Sequence, residues 1–143
     1  MTYKGIRQIS ANDSVDRAEL HSLVSDKILS DMKFRLKLDS IDVSVSRDIK
    51  LIEPTVLREL PIILSKFYVH MNKFGRTKAF FDETNISDLK TKQFDHWQRL
   101  FSMDFDKSYV DGAVRIGLVH HRIDLPLFLY LAGYNRVLCD LTA

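Results

Sequence analysis

Apolar residues return along this chain at intervals of three and four, the spacing that gathers them on one stripe of an α-helix of about 3.6 residues per turn. No stretch alternates apolar and polar residues between turn signals as a half-buried strand would. The pattern therefore predicts an all-α fold. A first helix is expected from Ser14 to Asp31, capped by Ser14 and carrying Ala18, Leu23, Val24 and Ile28. A second is expected from Ser40 to Ile52. Pro54 would then open a third helix bearing Leu57, Leu60, Ile63, Leu64, Phe67 and Tyr68, which Pro61 should kink or restart because its ring removes an N–H and crowds the preceding turn. The segment FGRTKAFFDETN reads as a loop holding the adjacent aromatics Phe80 and Phe81. Asn85 or Ser87 can cap the next helix, which runs through Phe101. The segment SMDFD caps another from about Lys107 to His121, and Pro126 opens a closing helix that reaches Leu138 or so.

Composition narrows the class. A chain of 143 residues has room for one core, and one domain is expected. Hydrophobic residues at 45% and charged residues at 28% suit a globular chain and exclude wholesale disorder. The net charge is only +2 and the basic residues are scattered, so no nucleic-acid partner is expected. The single cysteine, Cys139, cannot form an internal disulfide, and MTYKGIRQISANDSVDR lacks the apolar centre of a secretion signal, so a cytoplasmic protein is expected. The longest apolar stretch, Leu125 to Leu131, contains Pro126 and falls far short of the roughly 20 residues that cross a bilayer. The chain divides into an N-terminal extension with the first helix over 1–33 and a main domain over 34–143.

Candidate chemistry sits in DKSYVDGAVRIGLVHHRIDLP. On a helix Tyr109, Ala113, Ile116 and His120 follow one another at steps of four, three and four, so they share a face with Gly117 beside them. Gly112, Ala113 and Gly117 would let something flat and wide approach the backbone, although glycine inside a helix costs about 1 kcal/mol. His121 is rotated toward the side of Val114 and Leu118. A histidine on an apolar face is more often a hydrogen-bonded core residue, and spacing alone does not overturn that reading. No Cys–His set at zinc spacing, glycine-rich phosphate loop or Ser–His–Asp motif is present in the sequence, so no enzymatic activity is expected.

The run from Leu89 onward resembles the globin-coupled sensors, protoglobin-like haem globin domains that head bacterial aerotaxis transducers, diguanylate cyclases and sensor kinases. In them His-x-Arg-Ile, then Gly or Asp, an apolar residue and often Pro mark the histidine on haem iron. Here the pattern reads His120, His121, Arg122, Ile123, Asp124, Leu125, Pro126. The likeness extends to Lys92 and Gln93, to His96 and Trp97, to Leu100 through Ser102, to Tyr109, to Arg115 through Gly117, and to GYNRVL from Gly133 to Leu138. Upstream, Phe67 and Tyr68 fall where that family has its distal aromatic pair. The resemblance spans about residues 34–141 and implies a globin-like helical sandwich holding haem b, iron protoporphyrin IX.

Carried over residue by residue, the resemblance makes His120 the proximal axial ligand and the metal-binding residue, with Tyr130 as the contact that orients it. Tyr68 would be the distal residue whose phenol hydrogen-bonds bound dioxygen. Leu89 would lie over the distal face, with Phe67, Phe81 and Ile116 as apolar walls. Lys92, where some relatives have a small polar residue, would reach a haem propionate or point to solvent. Relatives also carry one more long helix, so this chain is expected to lack the last helix, one wall of the pocket and any transmitter. Leu127–Phe128–Leu129 departs from relatives that often have a charged residue and a tryptophan there.

Two functions follow. One is a dioxygen or other diatomic-gas sensor, working as a homodimer in signal transduction such as chemotaxis, in which ligation moves the proximal helix through His120 and Tyr130. The other is a haem-free globin-fold interaction or dimerisation module in which His120 is an ordinary core histidine.

Overall fold

The computed structural model describes residues 17–81 and 84–143, so the expected Ser14 cap lies outside the described residues. Among the described residues there are six α-helices and no strand. They are α1 (Arg17–Leu38), α2 (Val43–Met71), α3 (Gly75–Lys78), α4 (Ile86–Phe101), α5 (Lys107–Arg122) and α6 (Leu127–Leu141).

α1 runs a further two turns past Asp31, the end expected from sequence, because no Gly or Pro interrupts MKFRLKL. It stops where Ser40 takes a left-handed conformation, φ 56°. There the Ile41 N–H donates to Leu36 O at 2.8 Å and the Ser40 N–H to Lys37 O at 3.1 Å, the paired bonds of a Schellman ending.

The second and third helices expected from sequence are one helix, α2, with Pro54 and Pro61 inside it. Asp42 caps it, its Oδ1 accepting from the backbone N–H of Ser44 at 2.8 Å and of Val45 at 3.0 Å. The prolines are seven residues apart, hence on one face, and both are exposed, so the carbonyls they leave unpaired can meet water. The opposite stripe, Val56, Leu60, Ile63, Leu64, Phe67 and Tyr68, is buried. Burying that stripe at about 1.5–3 kcal/mol per large side chain outweighs two missing backbone bonds, so the helix continues.

FGRTKAFFDETN, expected as loop, holds the one-turn α3, tied by the Thr77 hydroxyl to the carbonyls of Met71 and Phe74. The later helices start where sequence placed them. Asn85 Oδ1 accepts from Ser87 N–H at 2.9 Å, and Asp106 Oδ1 from Tyr109 N–H at 2.8 Å. Pro126 stands just before α6, its carbonyl accepting from Leu129 N–H at 2.9 Å.

α2 packs against α4 and α6, α1 against α5, and α4 against α5. The main core joins Leu60, Ile63, Leu64, Phe67 and Tyr68 of α2 to Trp97 of α4 and Val137 of α6. α6 crosses α2 closely at Gly133, where an added Cβ would lie 3.6 Å from the Phe67 ring. On α5, Val110 and Val114 are buried. No helix among the described residues is long and apolar enough to cross a membrane.

Candidate functional site

The motif around His120 is first of all a helix ending. Asp124 adopts φ 51°, its N–H donates to His121 O at 3.0 Å, and the Leu125 N–H donates to His120 O at 3.0 Å. These are the two crossed bonds of a Schellman motif. Such a position tolerates Gly best and Asn or Asp next. The Gly-or-Asp choice two residues before Pro126 thus has a local cause, and it pins the backbone of His120 one turn from the end of α5.

The His120 side chain is half-buried, and burial holds its imidazole below the ordinary histidine value. At neutral pH the ring is uncharged and keeps a nitrogen lone pair free for a metal or a proton. It stands edge-on to Tyr130 of α6, centroids 5.2 Å apart at 65°. His121 is exposed. Tyr109, Ala113 and Ile116, which share the His120 face by spacing, are half-buried as well. Gly117 has nothing within 4 Å of a hypothetical Cβ, whereas one at Gly112 would come within 3.4 Å of the Arg99 guanidinium.

On α2, Tyr68 is 3% exposed. Its ring meets Phe67 at 5.1 Å and Phe81 at 5.4 Å, both edge-to-face. Burial pushes its phenol up to about 12, so it stays a hydrogen-bond donor at any physiological pH. α4 turns Leu89, Gln93 and His96 along one stripe, all half-buried. Leu89 packs on the aromatic core. The side-chain oxygen of Gln93 is buried with no hydrogen-bond partner, an arrangement that normally marks a place where another group belongs. Lys92 is exposed.

A feature that sequence spacing did not single out joins the two groups of side chains. His96 Nε2 lies 2.6 Å from the Tyr134 hydroxyl. Tyr134 in turn packs 5.3 Å from Trp97 and 5.0 Å from Tyr130, and it also touches the core cluster that holds Tyr68. Its phenol is raised chiefly by burial, then by the Tyr130 phenol beside it. Phe67, Tyr68, Phe81 and Leu89 are therefore gathered in one apolar cluster and His120 with Tyr130 in another, and Tyr134 belongs to both. The signal for Tyr134 was its place one turn beyond Tyr130 inside GYNRVL. The Gln93 oxygen had no such signal, because burial of one atom cannot be read from spacing.

The other histidines stand apart. His70 lies edge-on to Phe74 at 5.2 Å. The Asp111 carboxyl of α5 is lowered chiefly by Ser25, then by Lys107, and His21 of α1 adds the smallest of these effects. Among the described residues no group of three or more His, Cys, Asp or Glu side chains is placed to hold a metal ion.

A family model described as Protoglobin matches residues 27–143. No curated protein and no solved structure matches the chain.

Proposed function

The chain belongs to the protoglobin family, and we propose that it is a haem-based dioxygen sensor in which His120 is the iron ligand and Tyr68 the distal hydrogen-bond donor. Membership makes it a globin-fold domain of a haem- and gas-binding family. The observation that carries the assignment of His120 is its uncharged, half-buried imidazole beside Tyr130 on a helix end fixed by Asp124. The residues present fit a haem: one neutral imidazole on α5 and a protonated phenol in a dry aromatic cluster.

When bound, haem iron supplies the position at which a diatomic gas coordinates. The chain supplies the rest. His120 would present its ring nitrogen along an axis set by the pinned backbone and by Tyr130. Tyr68 would donate a hydrogen bond to a polar gas from surroundings without competing water, which stabilises it by about 1–2 kcal/mol. Dioxygen gains from such a donor and carbon monoxide gains little. Leu89, Phe67, Phe81 and Ile116 would keep water out, and Lys92, being exposed, would at most reach a propionate at the rim. The outer side of α6 leaves Leu127 70%, Phe128 55% and Leu131 56% exposed. We assign that apolar side to pairing with a second copy, the means by which a change at His120 would be reported.

The test is an absorption spectrum of the purified full chain after addition of haemin. A Soret band is expected for the wild type, lost in His120→Ala and kept in His121→Ala. A wild type without the band would leave the haem-free interaction module as the function, and equal losses in both variants would sink His120 as the ligand.

A further inference from the structure

We propose that His96 is a positioning residue for His120, acting from α4 through Tyr134 and Tyr130 of α6. The inference rests on the haem-binding reading above and adds to it a physical connection between the helix that lines the distal side and the ligand on the proximal side.

The connection is made of three contacts. At 2.6 Å the Tyr134 hydroxyl and His96 Nε2 form a short hydrogen bond. Burial, with the Arg99 guanidinium and the neighbouring His120 imidazole adding to it, holds the His96 imidazole below its ordinary value. The ring is therefore neutral, and in the tautomer with its proton on Nδ1 its Nε2 accepts the Tyr134 O–H. Both partners are half-buried, so exchanging the bond for a solvent contact has a cost. Tyr134 then lies 5.0 Å from Tyr130 at 51°, and Tyr130 lies 5.2 Å from His120 at 65°.

Each ring in this row has only two side-chain torsions. With its hydroxyl tied to α4, Tyr134 has both torsions set, and its face closes one side of the space in which Tyr130 can turn. Tyr130 in turn closes one side of the His120 ring. The backbone of His120 is already held by the Leu125 N–H, so the rotation of its imidazole is the freedom that remains, and the row of rings restricts it. Trp97 also packs 5.3 Å from Tyr134, which further limits the movement of that ring. α4 also carries Leu89 and Gln93, so a shift of α4 would reach the orientation of His120 through side chains, with no change in the α5 backbone.

The experiment compares wild type, Tyr134→Phe, His96→Phe and His96→Gln as haem-loaded full chains in the ferrous, gas-free form. Its readout is the iron–histidine stretching band in resonance Raman spectra. Tyr134→Phe and His96→Phe should shift and broaden the band equally, the double variant should add nothing further, and His96→Gln, which retains an acceptor for the phenol, should restore most of the wild-type band. An unmoved band in Tyr134→Phe, or additive shifts in the double variant, would overturn the inference. A second readout needs no haem: slow flipping of the Tyr130 ring, seen by NMR of the haem-free chain, should become fast in Tyr134→Phe. If the wild type takes up no haem, the proposed function fails, and an unchanged Tyr130 flip rate would separately overturn the positioning role.

Discussion

Replacing Asp124 by valine should both destabilise the fold and loosen the candidate ligand. Asp124 is exposed and left-handed, φ 51°, so the substitution changes backbone strain with little change in burial. A side chain with Cβ in that conformation costs about 1–2 kcal/mol, and a β-branched one stands at the upper end. If the ending opens instead, the strain is relieved but the bonds from Asp124 N–H and Leu125 N–H to the carbonyls of His121 and His120 are exchanged for water, at about 0.5–1 kcal/mol each. Either route costs about 1–2 kcal/mol. For a chain of this length that is a fall of roughly 3–8 °C in Tm. Asp124→Gly relieves the strain but gives the unfolded chain more freedom, by about 0.5–1 kcal/mol, so it should stay within about 0.5 kcal/mol of wild type. Thermal unfolding followed by circular dichroism measures both. In haem-loaded protein the valine variant should also release haem faster to an excess of an apo-globin acceptor. A valine variant as stable as the glycine variant would falsify the claim that the left-handed residue ends α5 and holds His120.

Three further outcomes are expected. Tyr68→Phe in haem-loaded protein should speed dioxygen dissociation by roughly 5- to 30-fold, the equivalent of about 1–2 kcal/mol, and leave carbon monoxide release nearly unchanged; equal effects on both gases in stopped-flow traces would remove Tyr68 as the donor. Because burial raises the folded-state Tyr68 phenol from 10.0 to about 12, the folded chain holds the proton that the unfolded chain has lost, so stability is full below pH 10 and falls as pH rises toward 12, by about 2–3 kcal/mol from this group. Tyr134 acts in the same direction, and urea midpoints from pH 9 to 12 should therefore fall less steeply in Tyr68→Phe, a parallel decline being the contrary result. Leu64→Ala, at a side chain 1% exposed in the core, should cost about 2–5 kcal/mol through lost transfer energy and a cavity, and a urea midpoint within error of wild type would show that the α2 stripe does not carry the core.

Local rules acted through local sequence. The all-α class, the Asn85 and Asp106 caps, the proline before α6 and the ordinary starts of α4, α5 and α6 could all be read from residues close to the feature they control, since capping and periodicity are satisfied within one or two turns. His120, Tyr130, Tyr68 and Leu89 could be named by motif, and the left-handed Asp124 gives the motif a backbone cause. What tertiary structure decided were the outcomes of competition between distant segments. Pro54 and Pro61 argued for separate helices, yet the buried stripe of α2 against α4 and α6 outweighed them. The Gln93 oxygen became orphaned, and Tyr134 found His96 38 positions away in sequence, because burial and a hydrogen bond between helices depend on which faces meet. Sequence periodicity determines that each helix has an inward face; only the packed chain determines which side chains confront one another across it.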